Sequence, residues 1–186
     1  MRSLLFCLFL ACFLGAKSSA AVVLIIDITN LSQVKFTATS AFAQNAEADT
    51  DMLDGIVLVD IFSKNPGSNT PEEVTSSNLR SPGASVSFRE FYDGGYAGGT
   101  LNLNFAGTNL STHEFSPTEA AFTGSAVADF SGAVAGSLIA GTSGDIWAGS
   151  ALDGRVVIGQ FQIIPEPGSA MLGLAGIGMM VLRRRR

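Results

Sequence analysis

Leu101, Leu103 and Phe105 alternate with Asn102 and Asn104, and this two-residue rhythm narrows the folds open to the chain more than any other feature. Successive strand residues point to opposite faces, so such a stretch separates a dry side from a wet side only when extended. The rhythm recurs at Val34, Phe36 and Ala38 against Lys35, Thr37 and Thr39, and at Val86 and Phe88 against Ser87 and Arg89. Three further stretches, Val22 to Ile28, Ile56 to Ile61 and Arg155 to Ile164, are apolar on both faces and are expected as central strands. Ala120 to Ser131 also fits a helical stripe through Phe122, Ala126 and Phe130, but Gly124, Gly132 and the abundant Ser and Thr favour a strand. Turn chemistry punctuates the pattern: Asn65 to Pro71 is the clearest surface loop, and Gly94-Gly95 and Gly98-Gly99 bracket Tyr96. About eight short strands between residues 21 and 164 predict an all-β domain, an antiparallel two-sheet sandwich of jelly-roll or immunoglobulin-like kind. No self-similar period supports a solenoid.

The two ends break this rhythm. Met1, Arg2 and Ser3 precede an apolar run from Leu4 to Leu14, which gives way to Gly15, Ala16, Lys17, Ser18, Ser19 and Ala20. A cationic start, an apolar middle and a small-residue exit are the parts of a secretion signal. Its eleven-residue run falls well short of the roughly 20 apolar residues that a resident membrane helix needs. Ser18 and Ala20 satisfy the small-residue positions, so a signal peptidase of the general secretion machinery is expected to cut between Ala20 and Ala21. The chain then divides into a leader, 1–20, a β domain, 21–164, and a tail, 165–186. Both cysteines, Cys7 and Cys12, fall in the leader, so the mature protein is expected to carry neither disulfide nor thiolate metal site.

In the tail, Pro165-Glu166-Pro167 is followed by an apolar run from Gly168 to Leu182 and then by Arg183, Arg184, Arg185 and Arg186. The prolines remove backbone donors and hold their neighbours extended, so the preceding strand must end there. As a helix, the fifteen-residue run would be about 22 Å long against roughly 30 Å of hydrocarbon; local thinning and snorkelling of Arg183 narrow the gap. Four arginines hold the end in the cytoplasm, with the body on the far side. Gly168, Gly173, Gly176 and Gly178 leave one side of that helix nearly bare, which suits close approach of another transmembrane helix.

Motif, short glycine-rich span and terminal arginine cluster together resemble the PEP-CTERM sorting signal. The resemblance covers residues 165–186 and is silent on the rest. It implies recognition by an exosortase in the inner membrane of a Gram-negative bacterium, processing at or near Pro165, Glu166 and Pro167, and release or transfer to the cell exterior, commonly alongside exopolysaccharide production. On that basis the protein is expected to cross the inner membrane once, transiently, with its C-terminus in the cytoplasm. It then becomes a cell-surface or extracellular-matrix protein.

Between the ends the chain is short of chemistry. Residues 21–164 hold fifteen Asp or Glu and five Lys or Arg, a formal net charge of −10, and a surface so acidic repels phosphate backbones, which argues against nucleic acid. The single histidine, His113, lies among Asn109, Leu110, Ser111, Thr112 and Glu114 and is expected in an exposed loop. Gly141-Thr142-Ser143-Gly144 is one residue short of a nucleophile elbow, so no enzyme is expected and no cofactor is required. Glu47, Asp49, Asp51 and Asp54, with Gly55 behind them, supply oxygen donors at a density suited to Ca²⁺, although a solvated acidic loop is the simpler and favoured account. Trp147, Tyr92 and Tyr96 offer sugar-stacking surfaces, with Trp147 expected rather in the core. The leading expectation is a non-enzymatic exported surface or matrix protein; a carbohydrate- or calcium-binding module is the alternative, and an enzyme of unrecognised type the third.

Overall fold

The computed structural model describes residues 20–49, 55–64, 71–93, 103–106, 113–132, 137–138, 141–149 and 155–164. They form twelve strands: β1 (Val22–Asp27), β2 (Val34–Ala38), β3 (Glu47–Asp49), β4 (Ile56–Leu58), β5 (Pro71–Glu73), β6 (Ser76–Ser77), β7 (Glu90–Asp93), β8 (Leu103–Ala106), β9 (His113–Phe115), β10 (Ser125–Ala128), β11 (Ser143–Ala148) and β12 (Val156–Ile164). One 3₁₀ turn, Leu31–Gln33, stands before β2; the Asn30 side chain caps it by accepting from the Ser32 amide at 3.1 Å. The all-β expectation holds.

Ten strands make one sheet, in the order β5-β7-β8-β4-β11-β12-β1-β2-β10-β6, and β3 and β9 make a second, smaller one. The three segments expected as central strands do lie inside the large sheet, where β1, β4 and β12 each have a neighbour on both sides. The strictly antiparallel expectation does not hold: β1 and β12 run parallel, with Leu24 beside Phe161 and Ile26 beside Ile163. The first and last strands of the domain meet in the middle of the sheet, and no hairpin turn dictates their relative direction. Two local expectations also change. Val86 and Phe88 lie on irregular chain before β7, although Phe88 is buried, and Pro71 opens β5 instead of closing a loop. β5 stands at an end of the ladder, where a residue without an N–H is tolerated.

The sheet curls until its two ends share one segment of chain. β5 pairs with β7 and β6 with β10, yet only Val74 and Thr75 separate β5 from β6. Val74 donates to the Arg89 carbonyl at 2.9 Å, Thr75 to the Val127 carbonyl at 2.8 Å, and Leu79 accepts from the Phe88 amide at 2.9 Å, so residues 71–80 are stitched to both ends. Gly124 (φ +83°) permits the close approach on the β10 side, because a Cβ there would fall on the Asn78 carbonyl. The Asn78 side chain in turn accepts from the Ser125 amide at 2.7 Å.

A single antiparallel ribbon joins the two sheets. Phe36 pairs with Ala126, Phe42 with Ala120 and Glu47 with Phe115. Each step along residues 34–49 is matched by an equal step back along residues 113–128, with nothing inserted or deleted at the bend. Inside the curl, one core carries Phe36, Phe62, Phe88, Phe91, Phe122, Phe130 and Phe161, all at most 2% exposed. The Phe130 ring stacks on Phe91 at 4.9 Å and meets Phe36 and Phe62 at 6.2 and 6.4 Å, tying three parts of the curl together.

Candidate functional site

The two junctions at which processing is expected sit on the two adjacent central strands. Ala20 is half-buried and Ala21 exposed; the Ala21 carbonyl accepts from the Gln160 amide at 2.9 Å, immediately before β1 begins. The expected mature N-terminus is thereby bound to the middle of β12. At the far end of the same pair, Asp27 stands beside Ile164, and the next residue in the chain is Pro165. Ile163 donates to the Thr142 carbonyl at 2.8 Å and accepts from the Gly141 amide at 2.9 Å. Pairing therefore persists to within one residue of the end of β12.

β12 is held by burial as well as by its ladder. Ile158, Phe161 and Ile163 are each 0% exposed, and fully burying side chains of this size is worth about 1.5–3 kcal/mol apiece. Gly144 lets β11 press onto this strand: a Cβ there would lie 2.8 Å from the Phe161 ring and 2.6 Å from the Val59 carbonyl. Beside the exit, the Asp27 carboxylate accepts from the Thr29 hydroxyl at 2.6 Å and its amide at 2.9 Å. Those bonds, hydroxyl first, hold its pKa below the usual carboxylate value, with Lys35 adding a smaller push in the same direction. Residues 1–19 of the leader, the motif Pro165, Glu166 and Pro167, the apolar span and Arg183 to Arg186 lie outside the described residues. Among the described residues no helix is long and apolar enough to cross a membrane.

His113 is not an exposed loop residue. It lies on β9 at 1% exposure, stacked on Phe88 with ring centroids 4.0 Å apart and planes 14° from parallel. Its Nδ1 accepts from the Ser81 amide at 3.3 Å and faces the Ser81 hydroxyl at 3.4 Å. Nε2 consequently carries the proton of the neutral ring, and it has no partner among the described residues. Burial pushes the pKa down to about 4, so the ring is neutral through the physiological range. Ser81 is itself fully buried, which leaves its hydroxyl out of reach of a dissolved substrate; the pair braces the small sheet against the core. Sequence reasoning missed this pair because Ser111, Thr112 and Glu114 give His113 polar neighbours, and only the ribbon register turns it inward.

Of the four acidic residues, Glu47 and Asp49 fall on β3, opposite Phe115 and His113, and Asp51 and Asp54 lie outside the described residues. No group of three or more metal-ligating side chains occurs among the described residues. Trp147 leaves the expected core position: it is half-buried, lies between the core residues Ile146 and Ala148, and so faces away from the core. Trp147, Val57, Asn104 and Tyr92 occupy one transverse row across β11, β4, β8 and β7. Val57, between the two aromatic residues, is fully covered. Tyr96 lies outside the described residues. A scan against protein-family models and searches of curated proteins and solved structures find no match to this chain.

Proposed function

We propose that this chain is an exported, non-enzymatic protein of the bacterial cell surface or extracellular matrix. Its leader is removed at Ala20-Ala21, and its tail is processed at Pro165-Glu166-Pro167 by an exosortase-type enzyme of the inner membrane. The observation that carries the reading is the abrupt end of the domain: a central, buried strand runs to Ile164 and gives way at once to a proline-bounded acidic motif, a short apolar span and four arginines. The pairing that holds this last strand lies within the domain and draws on no residue beyond Ile164. Processing by hydrolysis adds water across one peptide bond, leaving a carboxylate on the body and a free amine on the tail.

The body itself we read as a flattened two-layer domain of jelly-roll kind. The unbroken ribbon of residues 34–49 and 113–128, which passes from one sheet into the other, supports this finer description. A second reading, a carbohydrate-binding module, draws on the row shared by Trp147 and Tyr92; retention on immobilised exopolysaccharide that Trp147→Ala abolishes would promote it. The main reading is tested by intact-mass measurement of the exported protein, expected to begin at Ala21 and end near Pro165. A form ending at Arg186 overturns processing, and a leader-bearing form in the cytosol overturns export.

A further inference from the structure

We infer that β12 sets the N-terminal limit of tail processing: while the domain is folded, no peptide bond from Val156 to Ile164 is a substrate. The inference rests on the sorting reading above and deepens it by assigning the domain a part in choosing the cut. A processing enzyme takes its substrate as a short extended segment whose backbone donors and acceptors are free to pair with the enzyme. β12 is extended, but its backbone is already engaged on both sides. β1 pairs with it from Gln160 to Ile164 and β11 pairs with it from Val156 to Gln162. Gln44 adds a bond to the Ile158 carbonyl at 2.8 Å, and the Asn45 side chain one to the Val157 carbonyl at 2.7 Å. Scission inside the strand therefore requires the sheet to open at its middle.

The position of the strand also orders events. β12 is the last strand of the domain and fills the place between β11 and β1. Until it has joined, the sheet lacks an inner member and residues 155–164 are themselves free to be cut. Folding thus comes before correct processing, and the body that leaves the membrane keeps its central strand whole. Pairing with β1 runs as far as Ile164, so the protected chain reaches at least that residue.

Two measurements on the full chain, in mild detergent, test this. Under native digestion with proteinase K, the surviving peptide that contains β12 is expected to end at or after Ile164; ends between Val156 and Ile163 overturn the inference. In native hydrogen exchange, the Phe161 and Ile163 amides are expected to exchange within about threefold of Ile26 on β1. Exchange more than tenfold faster on β12 would mean that it opens alone, and the inference fails. As a second variant, four Gly-Ser residues inserted between Ile164 and Pro165 should leave the protease-resistant end where it is and add those residues to the exported protein's C-terminus. Arg186 at the exported C-terminus would instead sink the sorting reading, whatever the digestion shows.

Discussion

The β1–β12 pair and the β3–β9 pair both join segments far apart in the chain, and they are held by different means. In the first, apolar side chains cover the strands and the register follows from burying Leu24, Ile26, Phe161 and Ile163 together. In the second, three residues on each side include Glu47, Asp49, His113 and Glu114, and the register is inherited from the ribbon that begins at β2 and β10. One pair is positioned by its own hydrophobic content, and the other is carried into place by its neighbours and fastened by the contact of His113 with Phe88 and Ser81. Changes in the two regions should therefore fail in different ways.

The largest effect is expected from Phe161→Ala, which empties the middle of the central pair: a loss of about 3–5 kcal/mol in denaturant unfolding of the domain. A loss under about 1.5 kcal/mol would show that β12 contributes far less than its burial implies. The second pair should answer to pH. His113 has a folded pKa of about 4, below its ordinary value of 6.5, so between those values the unfolded chain binds the proton and the folded chain does not. Stability from this group is complete above pH 6.5, falls as the pH drops toward 4 and then levels, a change of about 3 kcal/mol. His113→Asn should flatten that part of the unfolding profile, and an unchanged slope would remove the histidine from the account. Asp27, whose folded pKa is lowered below 3.8, also loses stability on acidification, but in a lower pH window, so the two effects separate.

Gly144→Ala sharpens the comparison from the side of β11. The added methyl group meets the Val59 carbonyl and the Phe161 ring, and a cost of about 1–3 kcal/mol is expected in thermal or denaturant unfolding. The smallest effect belongs to Phe42, 56% exposed at the bend of the ribbon: Phe42→Ser should change stability by no more than about 0.5 kcal/mol. A larger loss would mean that the bend is a packed joint and not a hinge.

The same contrast explains how much of the structure was legible in the sequence. β1, β4 and β12 could be read as inner strands because an apolar side chain on both faces has few other places to go. The alternation of Val34, Phe36 and Ala38 likewise gave β2 its inner face, and Phe122, Ala126 and Phe130 are all buried, although only Ala126 lies on a strand, β10. The parallel direction of β1 and β12 was illegible, because it depends on where the chain returns after more than a hundred residues. So was β9, whose His-Glu-Phe carries no propensity strong enough to override its polar surroundings, and so was β5, which opens on a proline. Among the candidate site residues, the junctions proposed at Ala21 and Ile164 rest on local chemistry alone. The Ser81–His113 contact, which joins β9 to irregular chain and follows no motif, was not legible.

The sharing of residues 71–80 between both ends of the large sheet has a consequence for self-association. A sheet that stops leaves a row of open amides and carbonyls, a template on which a second copy can add and begin a fibre. Here the chain that ends one side also ends the other, so little of that row is left to copy. This self-sealing seam guards the large sheet against such addition and needs neither a disulfide nor a partner.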